Sequence, residues 1–295
     1  MSTSILANHR RRLRCNRSQS RGGLGWRRRS FCLAHVLVIA TGLADCRAHH
    51  RESLQVAAAA DLSSSFEEAG KAYEARTGER VVFSFGATGL LERQVAEGAP
   101  FDVFAAADVS SADSAIQSGA CLADSKAIYA TGRIALFSPQ QAARKPTNLT
   151  DLVDSRIVRI AIANPLHAPY GRAAKQAMER SGVWPLVKAR VVYGENVRQA
   201  LQFAQAGNAD VAIVALSLAR TTAEPMTPIP DSLYDPITQA LVVCSRGKAG
   251  IPAARKFVQF IESNEGRAIL RKDGFLVPGD STSTAGQAMP PAVRQ

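Results

Sequence analysis

The chain is poor in the residues on which most catalytic and metal chemistry depends. Of its five histidines, His9, His35, His49, His50 and His167, only one follows residue 50. A lone imidazole leaves little room for a histidine-based metal centre or a Ser-His-Asp arrangement. Of its five cysteines, Cys15, Cys32, Cys46, Cys121 and Cys244, only the last two fall in the body of the chain, and they lack metal-ligand spacing. They are expected as buried free thiols, with a disulfide in an oxidising compartment as the alternative. No Gly-x-Ser-x-Gly nucleophile motif occurs. Asp102 and Asp108 resemble paired carboxylates, but a strand position and a cap position need not face each other, so no acid/base pair is read there. No internal repeat is evident.

Excess basic charge is also missing where it would matter. The formal charge is +11, but residues 1–48 hold ten of the 36 Lys and Arg and one acid, Asp45. The remainder carries 26 bases against 24 acids, a net +2, so no nucleic-acid-binding face is implied. The basic stretch has a simpler reading. Arg27-Arg28-Arg29 precedes the apolar run from Phe31 to Ala44, the layout of a secretory signal and too short to span a membrane comfortably. Gly42-Leu43-Ala44 offers a cleavage site and Ala48 a later one. Arg28-Arg29-Ser30-Phe31 loosely resembles a twin-arginine signal. Leu43-Ala44-Asp45-Cys46 has the outline of a lipoprotein box, but Asp45 stands where a small residue is expected, so a lipid anchor at Cys46 is the lesser reading. The protein is expected in the periplasm or cell envelope.

What the body does have is an alternation of buried strands and helices. Leu54–Ala59 reads as a strand, followed by Leu62, Phe66, Ala69 and Tyr73 at helical spacing up to Gly78. Val81–Phe85 is a strand that ends in Gly86-Ala87-Thr88-Gly89, with a helix from Leu90. Phe101–Ala106 is a third strand, and Asp108 caps the helix through Ile116. Ile134–Phe137 marks the crossing into a second lobe. There, Val158–Ala163 ends in Asn164-Pro165-Leu166-His167-Ala168-Pro169-Tyr170-Gly171 and leads to a helix from Arg172. Ala189–Tyr193 ends in Gly194-Glu195-Asn196-Val197, with Asn196 as cap. Ala209–Ala215 and Ile237–Cys244 are further strands, the second returning to the first lobe. Ile251–Glu262 and Glu265–Lys272 are helices, and from Gly279 the composition becomes that of a disordered tail.

Four strand-to-helix turns therefore recur, with helix starts near Asp61, Thr88, Tyr170 and Val197. A helix start carries free N–H groups and partial positive charge, which together hold an anion without Lys or Arg. No basic residue falls inside any of the four turns. Donor-only sites suit a fully ionised oxyanion and reject protonated species, whose O–H would meet another donor. Asp61 or one of Ser63, Ser64 and Ser65 caps the first of these helices.

The stretches Val56–Leu62, Gly86–Gly89, Arg93–Asp108, Asn164–Gly171 and Glu195–Leu201 together resemble the molybdate-binding periplasmic proteins of ABC importers, from about Leu54 to Pro278. The resemblance implies an α/β, two-lobed periplasmic binding protein of type II, each lobe a mixed sheet flanked by helices, with the ligand in the cleft. It divides the chain into a leader over 1–48, a first lobe over 53–131 and again over 239–278, a second lobe over 132–238, and a tail over 279–295. It further implies a monomeric, non-enzymatic receptor that needs no cofactor and no cation ligand, and that passes molybdate or tungstate to a membrane permease. Carried over by motif, the oxyanion is held by Ala60, Asp61, Thr88, Tyr170 and Val197. Asp61 departs from members with a hydroxyl or amide there, and its carboxylate is expected to turn away as a helix cap while its amide serves the anion. Where some members add a Tyr hydroxyl, this chain has Ala215. A receptor for sulfate or phosphate is the alternative, and a regulator's sensor domain a weaker one, because the latter needs a DNA-binding helix pair.

Overall fold

A computed structural model describes residues 52–280. The leader, with its cleavage, twin-arginine and Cys46 motifs, and residues 281–295 of the expected tail lie outside the described residues. In chain order the elements are β1 (Leu54–Ala59), α1 (Ser63–Thr77), β2 (Val81–Gly86), α2 (Thr88–Ala96), β3 (Val103–Ala106) and α3 (Val109–Gln117). Then come β4 (Ala127–Gly132), β5 (Ile134–Phe137), β6 (Ile160–Ala163), α4 (Pro169–Arg180), α5 (Trp184–Val187), β7 (Val191–Gly194) and α6 (Val197–Gln205). β8 (Val211–Ala215), α7 (Leu216–Ala219), β9 (Met226–Pro228), β10 (Ile237–Val243), α8 (Ile251–Glu262) and α9 (Asn264–Lys272) complete the body.

The strands form two five-stranded sheets, β2-β1-β3-β10-β4 and β7-β6-β8-β5-β9. Each has three parallel strands followed by an antiparallel one, β10 in the first and β5 in the second. The central strands are buried on both faces, which is why they read as unbroken apolar runs such as Val-Phe-Ala-Ala and Ile-Ala-Ile-Ala. The chain passes between sheets at Arg133, between β4 and β5, and returns to the first sheet at β10. The first lobe is packed around an aromatic cluster. Phe66 lies 5.9 Å from both Phe83 and Tyr129, and Tyr73 meets Phe257 edge-on at 5.4 Å.

Among the described residues, no helix is long and apolar enough to cross a membrane. Asp102, at the foot of β3, accepts hydrogen bonds from the amides of Gln55, Ala249 and Gly250. Asp108 caps α3 through Ser111 N at 2.7 Å. The two carboxylates thus have separate structural tasks.

The expectation of free thiols is corrected. Cys121 and Cys244 form a disulfide, with Cα atoms 3.9 Å apart. The segment leaving α3 runs antiparallel beside the end of β10, fixed by Leu122 N to Val243 O and Ser245 N to Ala120 O, both 2.9 Å. The partners are 123 residues apart in sequence, a pairing that only the sheet topology brings about.

Candidate functional site

In both sheets the parallel strands point their carboxyl ends at the same crevice. This is where open α/β sheets offer ligand sites, because the connections leave room there and the following helices begin there. β1 runs into a short 3-10 turn, Ala60–Leu62, that continues as α1, while β2 leads to Thr88, β6 to Tyr170 and β7 to Val197. The helices begin earlier than the sequence pattern implies. α2 starts at Thr88 rather than Leu90, and α4 at Pro169 rather than Arg172. Pro169 takes a first-turn position where its missing N–H costs nothing. The amides of Asp61, Thr88, Tyr170 and Val197 therefore all stand in first turns, without an intrahelical acceptor.

One cavity lies at this meeting point. Ala60, Asp61, Thr88, Tyr170 and Val197, all five residues singled out in the sequence, line it, joined by Ala107 and Asn196. Its volume is about 10 Å³ for the centre of a water-sized sphere, room for about one water, so the crevice in this closed form has no space for a sugar or peptide. Asp61 is the one charged residue in the lining. Among the described residues, no group of three His, Cys, Asp or Glu side chains is placed to hold a metal ion.

The walls are closed. Thr88 and Asp61 are each 1% exposed, and Ala60, Tyr170 and Val197 are buried. Bonds between the lobes hold them so. Gly89 N donates to His167 O at 2.9 Å, Ser217 Oγ to Asp61 O at 2.9 Å, and Arg172 pairs with Asp108. Gly89 eases the first of these, since a Cβ there would stand a tight 3.2 Å from the His167 carbonyl oxygen and Cβ.

Donor directions are set by local bonds. The Ala107 amide donates to Thr88 Oγ1 at 3.1 Å, which occupies the oxygen as acceptor and leaves its hydroxyl proton to be given elsewhere. Asn196 Oδ1 accepts from Gln199 N at 3.0 Å and caps α6 as the sequence implies, leaving the Val197 amide to the cavity end of the helix.

Asp61 behaves differently from the expectation. Its side chain makes no cap bond to the first turn, and neither the 3-10 turn nor α1 has a side-chain cap. Its Oδ2 instead accepts from Gln239 Nε2 at 2.6 Å. The same amide nitrogen donates to the Tyr170 hydroxyl at 3.0 Å, and the Tyr129 hydroxyl donates to Gln239 Oε1 at 2.7 Å. Burial raises the Asp61 carboxyl, hydrogen bonds from Gln239, Tyr170 and its own backbone amide offset only part of that, and the balance lies at about 6. The Tyr170 and Tyr129 hydroxyls are pushed up in turn, by burial first and by the Asp61 charge second. A cap loses here because a fully buried carboxyl takes the partners that tertiary structure supplies, and Gln239 lies within reach. Gln239, Tyr129 and Ser217 are missing from the sequence-derived site. Gln239 had a signal, an amide in the middle of the apolar run Ile237–Val243, and it is wholly buried.

The model for bacterial extracellular solute-binding proteins matches residues 54–276. The chain belongs to this family. The Azotobacter vinelandii molybdate-binding protein ModA is 34% identical to it over 255 residues, 83% of this chain and 98% of that protein. The Rhodobacter capsulatus molybdate-binding protein ModA is 33% identical over 75% of this chain and 86% of its own length. In structure, the periplasmic molybdate-binding protein of Azotobacter vinelandii superposes with a TM-score of 0.70 at 29% identity, covering 77% of this chain and all of that one. The Mycobacterium tuberculosis sulfate-binding protein SubI, at 18% identity and a TM-score of 0.67, shares the fold over 77% of this chain and 87% of its own. The solute-binding family is one of binding proteins rather than enzymes, and its two-sheet α/β architecture is the one seen here.

Proposed function

We propose that this protein captures molybdate, and tungstate with it, outside the cytoplasm and delivers it to an ABC permease. The observation that carries the reading is the convergence of Ala60, Asp61, Thr88, Tyr170 and Val197 on one small cavity lined by helix starts and without Lys, Arg or His. Amides and a hydroxyl supply donors in fixed positions, and the helix ends add partial positive charge. The molybdate-binding relatives support the choice of oxyanion. The Cys121–Cys244 disulfide suits an oxidising compartment.

The ligand acts by stabilising the closed form. The lobes, taken as 53–131 with 239–278 and as 132–238, each contribute two of the four turns. An anion held by both gains its full contacts only when they meet, so it shifts the population toward closure. The permease reads that closed shape on a monomeric receptor freed of its leader.

The test is native mass spectrometry of the exported protein with molybdate, tungstate, sulfate and phosphate. Retention of one molybdate or tungstate per chain, with neither competitor retained, is expected. Tight sulfate or phosphate binding without molybdate binding overturns the assignment. The same spectra report leader cleavage, lipidation at Cys46 and oligomeric state.

A further inference from the structure

The carboxyl of Asp61 is left with one unexplained atom. Its Oδ2 is engaged by Gln239 at 2.6 Å, but Oδ1 is buried and has no hydrogen-bond partner among the described residues. Leaving a buried polar atom without a partner is costly, so native structures rarely keep one unless a ligand or proton completes it. The residue lines a small cavity with Thr88, Tyr170 and Val197, whose amides stand in first helix turns. An ionised carboxylate there would face a dianion with nothing but repulsion. A carboxylic acid would instead add a donor to those first-turn amides.

We propose that Asp61 meets the oxyanion as a neutral acid, with the proton on Oδ1 donated to the ligand, so that each oxyanion binds together with one proton taken from solvent. The inference rests on the oxyanion reading above and deepens it. No covalent bond forms or breaks, and the only proton moved is the one added to Asp61.

The surroundings of the carboxyl fit this state. The Gln239 amide is pinned from the other side by the Tyr129 hydroxyl on its Oε1, so it presents N–H rather than C=O to Asp61 Oδ2. That makes Oδ2 the acceptor and Oδ1 the place for the proton. The groups facing the carboxyl are the Gln239 amide from β10, the Tyr170 hydroxyl from α4, the backbone amide of Asp61 itself and, through its field, the Tyr129 hydroxyl from β4. Ser217 from α7 bonds the Asp61 carbonyl instead, and Tyr234 acts on Tyr170 rather than on Asp61. No cation is among the groups that act on the carboxyl. Burial, set against the hydrogen bonds that lower it, leaves the carboxyl at about 6, and a dianion in contact moves it further up. Carboxylic acids held neutral in this way serve as hydrogen-bond donors to oxyanions in other settings.

The experiment is calorimetric titration of the intact exported protein with sodium molybdate, at pH 7.5, in buffers of different ionisation enthalpy. Uptake of close to one proton per molybdate is expected. Across pH 6 to 8 the dissociation constant should weaken on the order of fifty-fold, the effect of one proton when the ligand-free carboxyl titrates near 6. Asp61→Asn offers the same acceptor to Gln239 and a fixed N–H to the ligand, so it should bind without proton uptake and with a flat pH profile. Molybdate bound by the wild-type protein without proton uptake overturns this inference and leaves the proposed function standing, and that measurement needs no variant. Proton uptake that persists in Asp61→Asn overturns it too, because the proton then sits elsewhere. No molybdate binding at any pH between 5 and 8 overturns the proposed function itself and this inference with it.

Discussion

Replacing Thr88 by Val removes one oxygen and keeps the shape of the side chain. Two separate losses follow. The first is the hydroxyl donated to the ligand. A hydrogen bond to a charged partner is worth about 1.5–3 kcal/mol, which is about a ten- to 150-fold rise in the dissociation constant. The second is the acceptor for the Ala107 amide, which now reaches Thr88 Oγ1 at 3.1 Å. Leaving that N–H without a partner costs about 1–3 kcal/mol of stability, but it acts on the free and bound proteins alike and largely cancels from the affinity. Titration calorimetry with molybdate measures the first loss, and urea unfolding of the ligand-free protein measures the second. Thr88→Ser keeps the hydroxyl and should stay within a few-fold of wild type in affinity. If Thr88→Val binds molybdate within twofold of wild type while losing stability, the hydroxyl serves Ala107 and not the ligand. The ligand would then be held by backbone amides and the Asp61 acid, without Thr88.

Other consequences can be checked in the same preparations. The Asp61 carboxyl is raised from 3.8 to about 6, so the folded protein holds that proton more tightly than the unfolded chain. The contribution of Asp61 to ligand-free stability is therefore best below pH 4 and is lost as pH rises through 6, by about 2–3 kcal/mol. Urea unfolding from pH 4 to 7 should show this fall, and Asp61→Asn should remove it. Cys121 and Cys244 close a loop across 123 positions, so Cys121→Ser with Cys244→Ser should cost about 3–5 kcal/mol, read from the denaturation midpoint. A loss below 1 kcal/mol would mean the bridge does not constrain the unfolded chain. Gly89→Ala places a Cβ 3.2 Å from the His167 loop across the cleft. It should weaken molybdate binding by roughly fivefold or more by opposing closure. Because Ala favours the helix by about 1 kcal/mol over Gly, the ligand-free protein should be no less stable. Unchanged affinity would mean that the Gly89–His167 contact is no part of the bound form.

Much of the fold is legible because it is local. The run Leu54-Gln55-Val56-Ala57-Ala58-Ala59 becomes β1 over those same residues, and Ile251–Glu262 becomes α8 over those same residues. In each case the period of apolar residues is carried by neighbours in sequence. Caps belong to the same class. Asp108 and Asn196 accept from amides three positions on, within one turn. The short strand β9 and the helices α5 and α7 escape notice because three or four residues carry no period. β4 escapes because it alternates too weakly to stand apart from β5, one residue further on.

The site divides along the same line. Its four turns follow from strand ends, small residues and helix starts, all of them readable in order along the chain. That they meet around one cavity depends on two sheets facing each other, and sequence periodicity says nothing of that. The fate of Asp61 is the sharpest case. From its neighbours it reads as a cap, because Asp before a helix usually finds an amide two or three residues away. In the folded protein it finds Gln239 instead, 178 residues away, and Ser217, 156 residues away, takes its carbonyl. Local sequence was enough for the elements, the donor turns and the lack of positive charge among them. Tertiary structure decided which groups share the cavity, that Cys121 and Cys244 are bonded, and that the one acid in the lining is held by an amide rather than by its own helix. The reason is range: propensity and capping act within a turn or two of the chain, whereas a buried carboxyl and a disulfide are settled by whatever the fold brings beside them.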